Sequence, residues 1–166
     1  ADKTAFNILV FEQLATLFPD ARFVHLVRDG RDVAASLLER QWRAPSGALF
    51  DQCASAAGAA RYWASIVTRG LELEGRLGVR VLRIRYEDLA AQPLRTMRKV
   101  CDFAGEPFDP AMLEIDNRQP PLAGMEIDTA DRLRRPINQT AVSRWRRDLR
   151  REEATAAYNA YRPLFE

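Results

Sequence analysis

Two guanidinium groups and a hydroxyl recur along the chain at a spacing that suits a doubly charged phosphate. Arg28 closes the apolar run RFVHLVR, and Ser36 and Arg40 follow in sequence that reads as helical. Counted from Asp29, Ser36 is seven residues on and Arg40 eleven, which returns both to one side of a helix of about 3.6 residues per turn. Arginine fits the task because its planar fork makes charge-assisted, often bidentate bonds to phosphate oxygens. Tyr86 closes a second apolar run, VRVLRIRY. In open parallel sheets, ligands bind outside the carboxyl ends of the strands, where Arg28 and Tyr86 both stand. An arginine after a strand also serves as a surface ion-pair partner, and spacing alone does not separate the two roles.

The elements that must position these groups are legible from periodicity. Ile8, Leu9, Phe11, Leu14, Leu17 and Phe18 recur at spacings of three and four, which predicts an amphipathic helix over Phe6–Phe18, stopped by Pro19-Asp20. Arg22 to Arg28 is a short, nearly continuous apolar run, the pattern of a strand buried on both faces. A helix is expected from Gly30 to Trp42, with Asp29 as N-cap and Asp32 three residues on. Further helices are expected over Leu49–Leu77, Pro93–Gly105 and Arg150–Tyr161, a strand over Val79–Tyr86, and an extended loop from Asn117 to Thr129. Strands alternating with helices imply right-handed crossovers and a three-layer α/β architecture with a central parallel sheet.

The order of these residues resembles the PAPS-dependent sulfotransferases, enzymes that use 3'-phosphoadenylyl sulfate (PAPS). FPDARFVHLVRDGRDVAASLLER resembles their 3'-phosphate-binding strand and helix, and RIRYEDLAAQPLRTMRKVCDFAG a later strand and helix whose Tyr lies near the adenine. The Arg28–Ser36 pair followed by Arg40 is the pattern of tyrosylprotein sulfotransferases and their bacterial relatives. TADRLRRPINQTAVSRW resembles the loop that folds over the nucleotide, and DKTAFN a Lys-containing opening segment, with Ala5 where the family has Pro. Asn138, Gln139 and Thr140 stand where the cytosolic small-molecule branch carries Arg-Lys-Gly, which argues against that branch.

The resemblance implies a P-loop-like α/β fold of which residues 1–166 are the C-terminal portion, with a strand, a phosphate loop and the catalytic base expected upstream of Ala1. On that basis the 166 residues alone are expected to be inactive. PAPS would be the co-substrate, with no metal, and a hydroxyl-bearing molecule the acceptor. Lys3 would stabilise charge near the sulfuryl group. Arg28, Ser36 and Arg40 would hold the 3'-phosphate, Tyr86 would lie near the adenine, Thr129, Asn138 and Arg144 would touch the nucleotide, and Trp145 would anchor the loop.

Composition narrows the alternatives. The 166 residues are 47% hydrophobic and 29% charged, which suits one globular domain with a full-sized core. No apolar stretch approaches the roughly 20 residues needed to cross a bilayer. Cys53 and Cys101 have no metal-ligand spacing and no disulfide framework, which leads us to expect a reducing, cytoplasmic setting. Ala130 to Arg151 holds eight arginines against two aspartates, so a nucleic-acid-binding module is a rival reading. A nucleotide or metabolite kinase shares the alternating architecture, but no Mg²⁺ carboxylate or lid is identifiable. His25 stands mid-strand in an apolar run, which favours a hydrogen-bonded structural role over a general base. Trp42, Trp63 and Trp145 are expected to be packing residues. Glu87 and Asp88 are expected in helix-capping or ion-pair roles.

Overall fold

Alternation in the sequence becomes alternation in space. A computed structural model of the chain describes residues 5–114 and 139–162. A 3₁₀ turn over Ala5–Leu9 leads to α1 (Phe11–Leu17), β1 (Phe23–Val27), α2 (Gly30–Arg40), α3 (Asp51–Ala54) and α4 (Ala56–Leu77). β2 (Val81–Arg85), α5 (Tyr86–Ala91) and α6 (Pro93–Ala104) follow, and beyond residue 138 come α7 (Trp145–Asp148) and α8 (Arg151–Tyr161). β1 and β2 pair in parallel, with Phe23 opposite Val81 and Val27 opposite Arg85. The crossover between them carries α2 to α4, the helical connection that parallel strands require.

Small side chains make the helical layer. Ala34 and Leu37 of α2, Ala56, Ala59, Ala60, Trp63 and Val67 of α4, and Ala157 and Tyr161 of α8 form one buried cluster. Alanine lets helix axes approach, and the two aromatics fill the remaining volume, with ring centroids 4.9 Å apart at 62°. Gly30 belongs to the same contact, because a Cβ there would lie 2.9 Å from the Tyr161 ring.

The sheet is covered unevenly. Successive residues of a strand face opposite sides, and His25 faces α4 while Val24 and Leu26 point the other way. His25 is buried, but Val24 is 45% exposed and Leu26 51%. Among the described residues β1 is therefore buried on one face, not on both as its apolar run predicts.

Other boundaries moved for local reasons. The helix expected over Phe6–Phe18 breaks at Val10, whose φ of −125° is not helical. The long helix expected over Leu49–Leu77 is interrupted at Ser55, whose extended backbone and hydroxyl cap α4 by accepting from Gly58 N at 3.0 Å. α2 ends at Arg40, since Gln41 adopts φ 51°, and Trp42 is 42% exposed instead of packed. Tyr86 opens α5 instead of closing β2. α6 ends where Gly105 takes φ 78°, the left-handed C-terminal conformation that glycine adopts most easily. The loop expected over 117–129 lies outside the described residues.

Candidate functional site

The carboxyl end of β1 delivers Arg28 to the mouth of a cavity of about 880 Å³ that Gly30, Trp63, Glu87 and Tyr161 also line. The Arg28 guanidinium lies 4.8 Å from the centroid of the Tyr86 ring. Its Nη2 donates to the Ala141 carbonyl and sits 4.0 Å from Asp32 Oδ2. Its Nε is buried and has no hydrogen-bond partner. One edge of the fork is thus fixed by the protein while a donor beside it is unspent, which is an incomplete arrangement for a buried polar group.

α2 follows directly. Asp32, Ser36 and Arg40 stand at intervals of four on this helix, with Arg28 just ahead of its N-cap, and neither Ser36 nor Arg40 lines the cavity. The helix starts where it does because Asp29 accepts from Arg31 N at 2.8 Å and binds its guanidinium at 2.7 Å. Burial pushes the Asp29 carboxyl up, but the hydrogen bonds and charge of Arg31 outweigh it, so its pKa falls below the ordinary value. Glu87 accepts from Asp29 N at 2.8 Å and pairs with Arg85, so the start of α5 is tied to the start of α2. That bond holds the two strand ends, and with them Arg28 and Tyr86, in fixed relation.

Asp32 does not complete a capping box on its own helix. It is fully buried, and its two oxygens accept from Ser143 N at 2.8 Å and Trp145 N at 3.0 Å. Its partners lie more than a hundred residues away, and nothing local in the sequence distinguishes this pairing from an N3 aspartate. The Arg31 guanidinium lies 4.1 Å from the Trp145 ring centroid, and Trp145 packs against the buried cluster of Ala35, Leu149 and Ala154.

Of the residues assigned from sequence, Arg28 and Tyr86 are in contact, and Ser36 and Arg40 follow on α2, four residues apart. Arg40 is 5.9 Å from the Trp42 ring. Arg144 turns to carboxylates, pairing with Glu39 and, at 2.6 Å, with Asp148. Lys3, Thr129 and Asn138 lie outside the described residues. Asp148 also holds Arg147, and Glu153 holds Arg150, so three arginines of the basic segment are spent on internal ion pairs.

His25 belongs to a structural cluster. Its Nδ1 is 2.8 Å from Glu74 Oε1, while Arg83, its register partner on β2, reaches Glu74 Oε2 at 3.0 Å. In the full-length protein, His25→Gln is expected to leave any turnover within a few-fold of the parent while costing about 1 kcal/mol of stability from the altered bond to Glu74. Steady-state kinetics beside a denaturant titration check this, and a loss of several orders of magnitude in a folded variant would make His25 catalytic.

Comparison with known proteins decides the family. The family model described as "Sulfotransferase family" matches residues 1–110. The chain belongs to the sulfotransferase family. It is 27% identical over 152 residues to protein-tyrosine sulfotransferase A of Caenorhabditis elegans, covering 87% of this chain and 38% of that protein. Protein-tyrosine sulfotransferase 1 of Danio rerio is 26% identical over 165 residues, with 41% of its length covered. The Drosophila melanogaster protein-tyrosine sulfotransferase is 30% identical over 137 residues, with 26% covered. The chain thus spans about two fifths or less of these relatives. A sulfotransferase domain from the curacin biosynthetic pathway matches in structure with a TM-score of 0.66 at 20% identity, over 97% of this chain and 59% of that domain. That likeness establishes the α/β sulfotransferase fold.

Proposed function

We propose that the protein transfers a sulfuryl group from PAPS to a hydroxyl acceptor and releases adenosine 3',5'-bisphosphate. The observation that carries this reading is Arg28, fixed at a strand end beside the cavity with an unspent buried donor, just ahead of the helix that holds Ser36 and Arg40. The 3'-phosphate distinguishes PAPS from ordinary adenine nucleotides, and two guanidinium groups with a hydroxyl match its charge and oxygen count. Tyr86, whose ring lies against the Arg28 guanidinium, is assigned the neighbourhood of the adenine on the resemblance. The similarity to protein-tyrosine sulfotransferases supports a hydroxyl acceptor, with peptide tyrosine, carbohydrate and small-molecule hydroxyls within that class.

In the reaction the acceptor oxygen attacks sulfur as the bond from sulfur to the bridging oxygen breaks. The acceptor's proton goes to a base, and negative charge collects on the bridging oxygen of the departing nucleotide. Transfer of this kind depends on positioning and charge stabilisation. Arg28, Ser36 and Arg40 do the first by holding the far phosphate, and Lys3 is assigned the second.

The protein is expected to bind adenosine 3',5'-bisphosphate at least roughly tenfold more tightly than AMP, since one charged hydrogen bond of about 1.5–3 kcal/mol suffices for that. Isothermal calorimetry with the two nucleotides measures it, and equal affinities would overturn the reading. The ion pairs of Arg144, Arg147 and Arg150 weaken the case for a nucleic-acid module, which would show affinity falling steeply with salt and indifferent to the 3'-phosphate.

A further inference from the structure

We infer that Asp32 is a positioning residue that fixes the 3'-phosphate arginine and the 141–145 turn in one arrangement. The inference rests on the reading of Arg28 given above. A fully buried carboxylate must be compensated, and here the compensation comes from three directions. Ser143 N and Trp145 N donate at 2.8 and 3.0 Å, and the Arg28 guanidinium stands 4.0 Å away on the Oδ2 side. Ser143 adopts φ 56°, a conformation that costs a non-glycine residue energy and persists where its surroundings impose it. The Asp32 bond to Ser143 N is such a constraint.

The same turn returns a contact to Arg28, because Ala141 O accepts from Nη2. Asp32, Arg28 and residues 141–145 therefore form a closed circuit. The carboxylate holds the turn, the turn's carbonyl holds Nη2, and the Tyr86 ring lies against the guanidinium, its centroid 4.8 Å from Cζ. What is left is Nε, oriented and unpartnered. The Asp32 charge near a phosphate site is offset by its two backbone donors and by the Arg28 guanidinium. Asp32 touches no reacting atom and acts through Arg28.

The test compares the parent protein with Asp32→Asn and Asp32→Ala in calorimetry with adenosine 3',5'-bisphosphate and with AMP, beside hydrogen exchange at Ser143 and Trp145. Asparagine keeps one acceptor oxygen and the side-chain volume, so it separates positioning from collapse. For Asp32→Asn, affinity for the bisphosphate is expected to fall about tenfold, equivalent to about 1.4 kcal/mol, with AMP changed less than about twofold and both amides exchanging faster. A preserved preference in Asp32→Asn, an equal loss for both nucleotides, or global unfolding of that variant would each overturn the inference in favour of a purely structural carboxylate. A parent protein with no preference for the bisphosphate would overturn the reading of Arg28 itself, and unchanged amide exchange in the variant would overturn the tether independently of any nucleotide.

Discussion

Arg28→Ala is expected to weaken binding of adenosine 3',5'-bisphosphate by roughly tenfold to a hundredfold, as the loss of one charge-assisted bond of about 1.5–3 kcal/mol requires. AMP should be affected far less, because it lacks the group that Arg28 holds. The fold should survive, since Arg28 is partly exposed, its losses within the protein are one bond to Ala141 O, the contact with Tyr86 and the 4.0 Å approach to Asp32, and Asp32 keeps both backbone donors. Those cost about 1–2 kcal/mol of stability. Arg28→Lys should recover only part of the affinity, because an ammonium is a point charge and cannot reproduce the fork or lie flat on the Tyr86 ring. Calorimetry with both nucleotides and a thermal melt of each variant check the pattern. Normal binding by Arg28→Ala would reassign the residue to a structural ion pair with Asp32.

The fold and half of this site were open to sequence reading for a specific reason. The strand runs, the helix after β1 and the four-residue spacing of Ser36 and Arg40 on it are local patterns, governed by periods of two and 3.6 residues. Asp29 as N-cap is local too, and the structure has it accepting from Arg31 N. What stayed hidden depends on where the chain comes back. Asp32 fits the third helical position so well that its bonds to Ser143 and Trp145 have no local signature. Glu87 was expected to cap or pair, but its partner Asp29 N is 58 residues away. Ser55 has no sequence signal as a cap, because alanines flank it on both sides and the helical pattern runs straight through. Val24 and Leu26 were expected inside because an apolar run does not say how many faces of a strand are covered, and the described residues leave about half of each side chain exposed.

Gly70→Ala is expected to destabilise the protein by about 2–3 kcal/mol, against the usual gain when glycine in a helix becomes alanine. That gain is about 1 kcal/mol. Here the new methyl would meet the His25 ring, at 2.0 Å from Cε1, 2.2 Å from Nε2 and 2.6 Å from Nδ1. All three are closer than a Cβ approaches any neighbour, so the ring or the helix must move. The ring cannot swing aside cheaply, because Glu74 on the same helix holds its Nδ1 and Arg83 holds Glu74 from the adjacent strand. Overpacking of a fixed contact costs about 1–3 kcal/mol and at times more, which exceeds the helical gain. A thermal melt should fall by roughly 5–10 °C for a chain of this size. Shortening the other partner tests the cause: His25→Ala together with Gly70→Ala should be less destabilised than the two single losses combined, by at least about 1 kcal/mol in a double-mutant cycle. A Gly70→Ala protein more stable than its parent would mean that α4 does not approach β1 as closely as His25 requires. Strictly additive losses would instead place the cost of Gly70→Ala somewhere other than the imidazole.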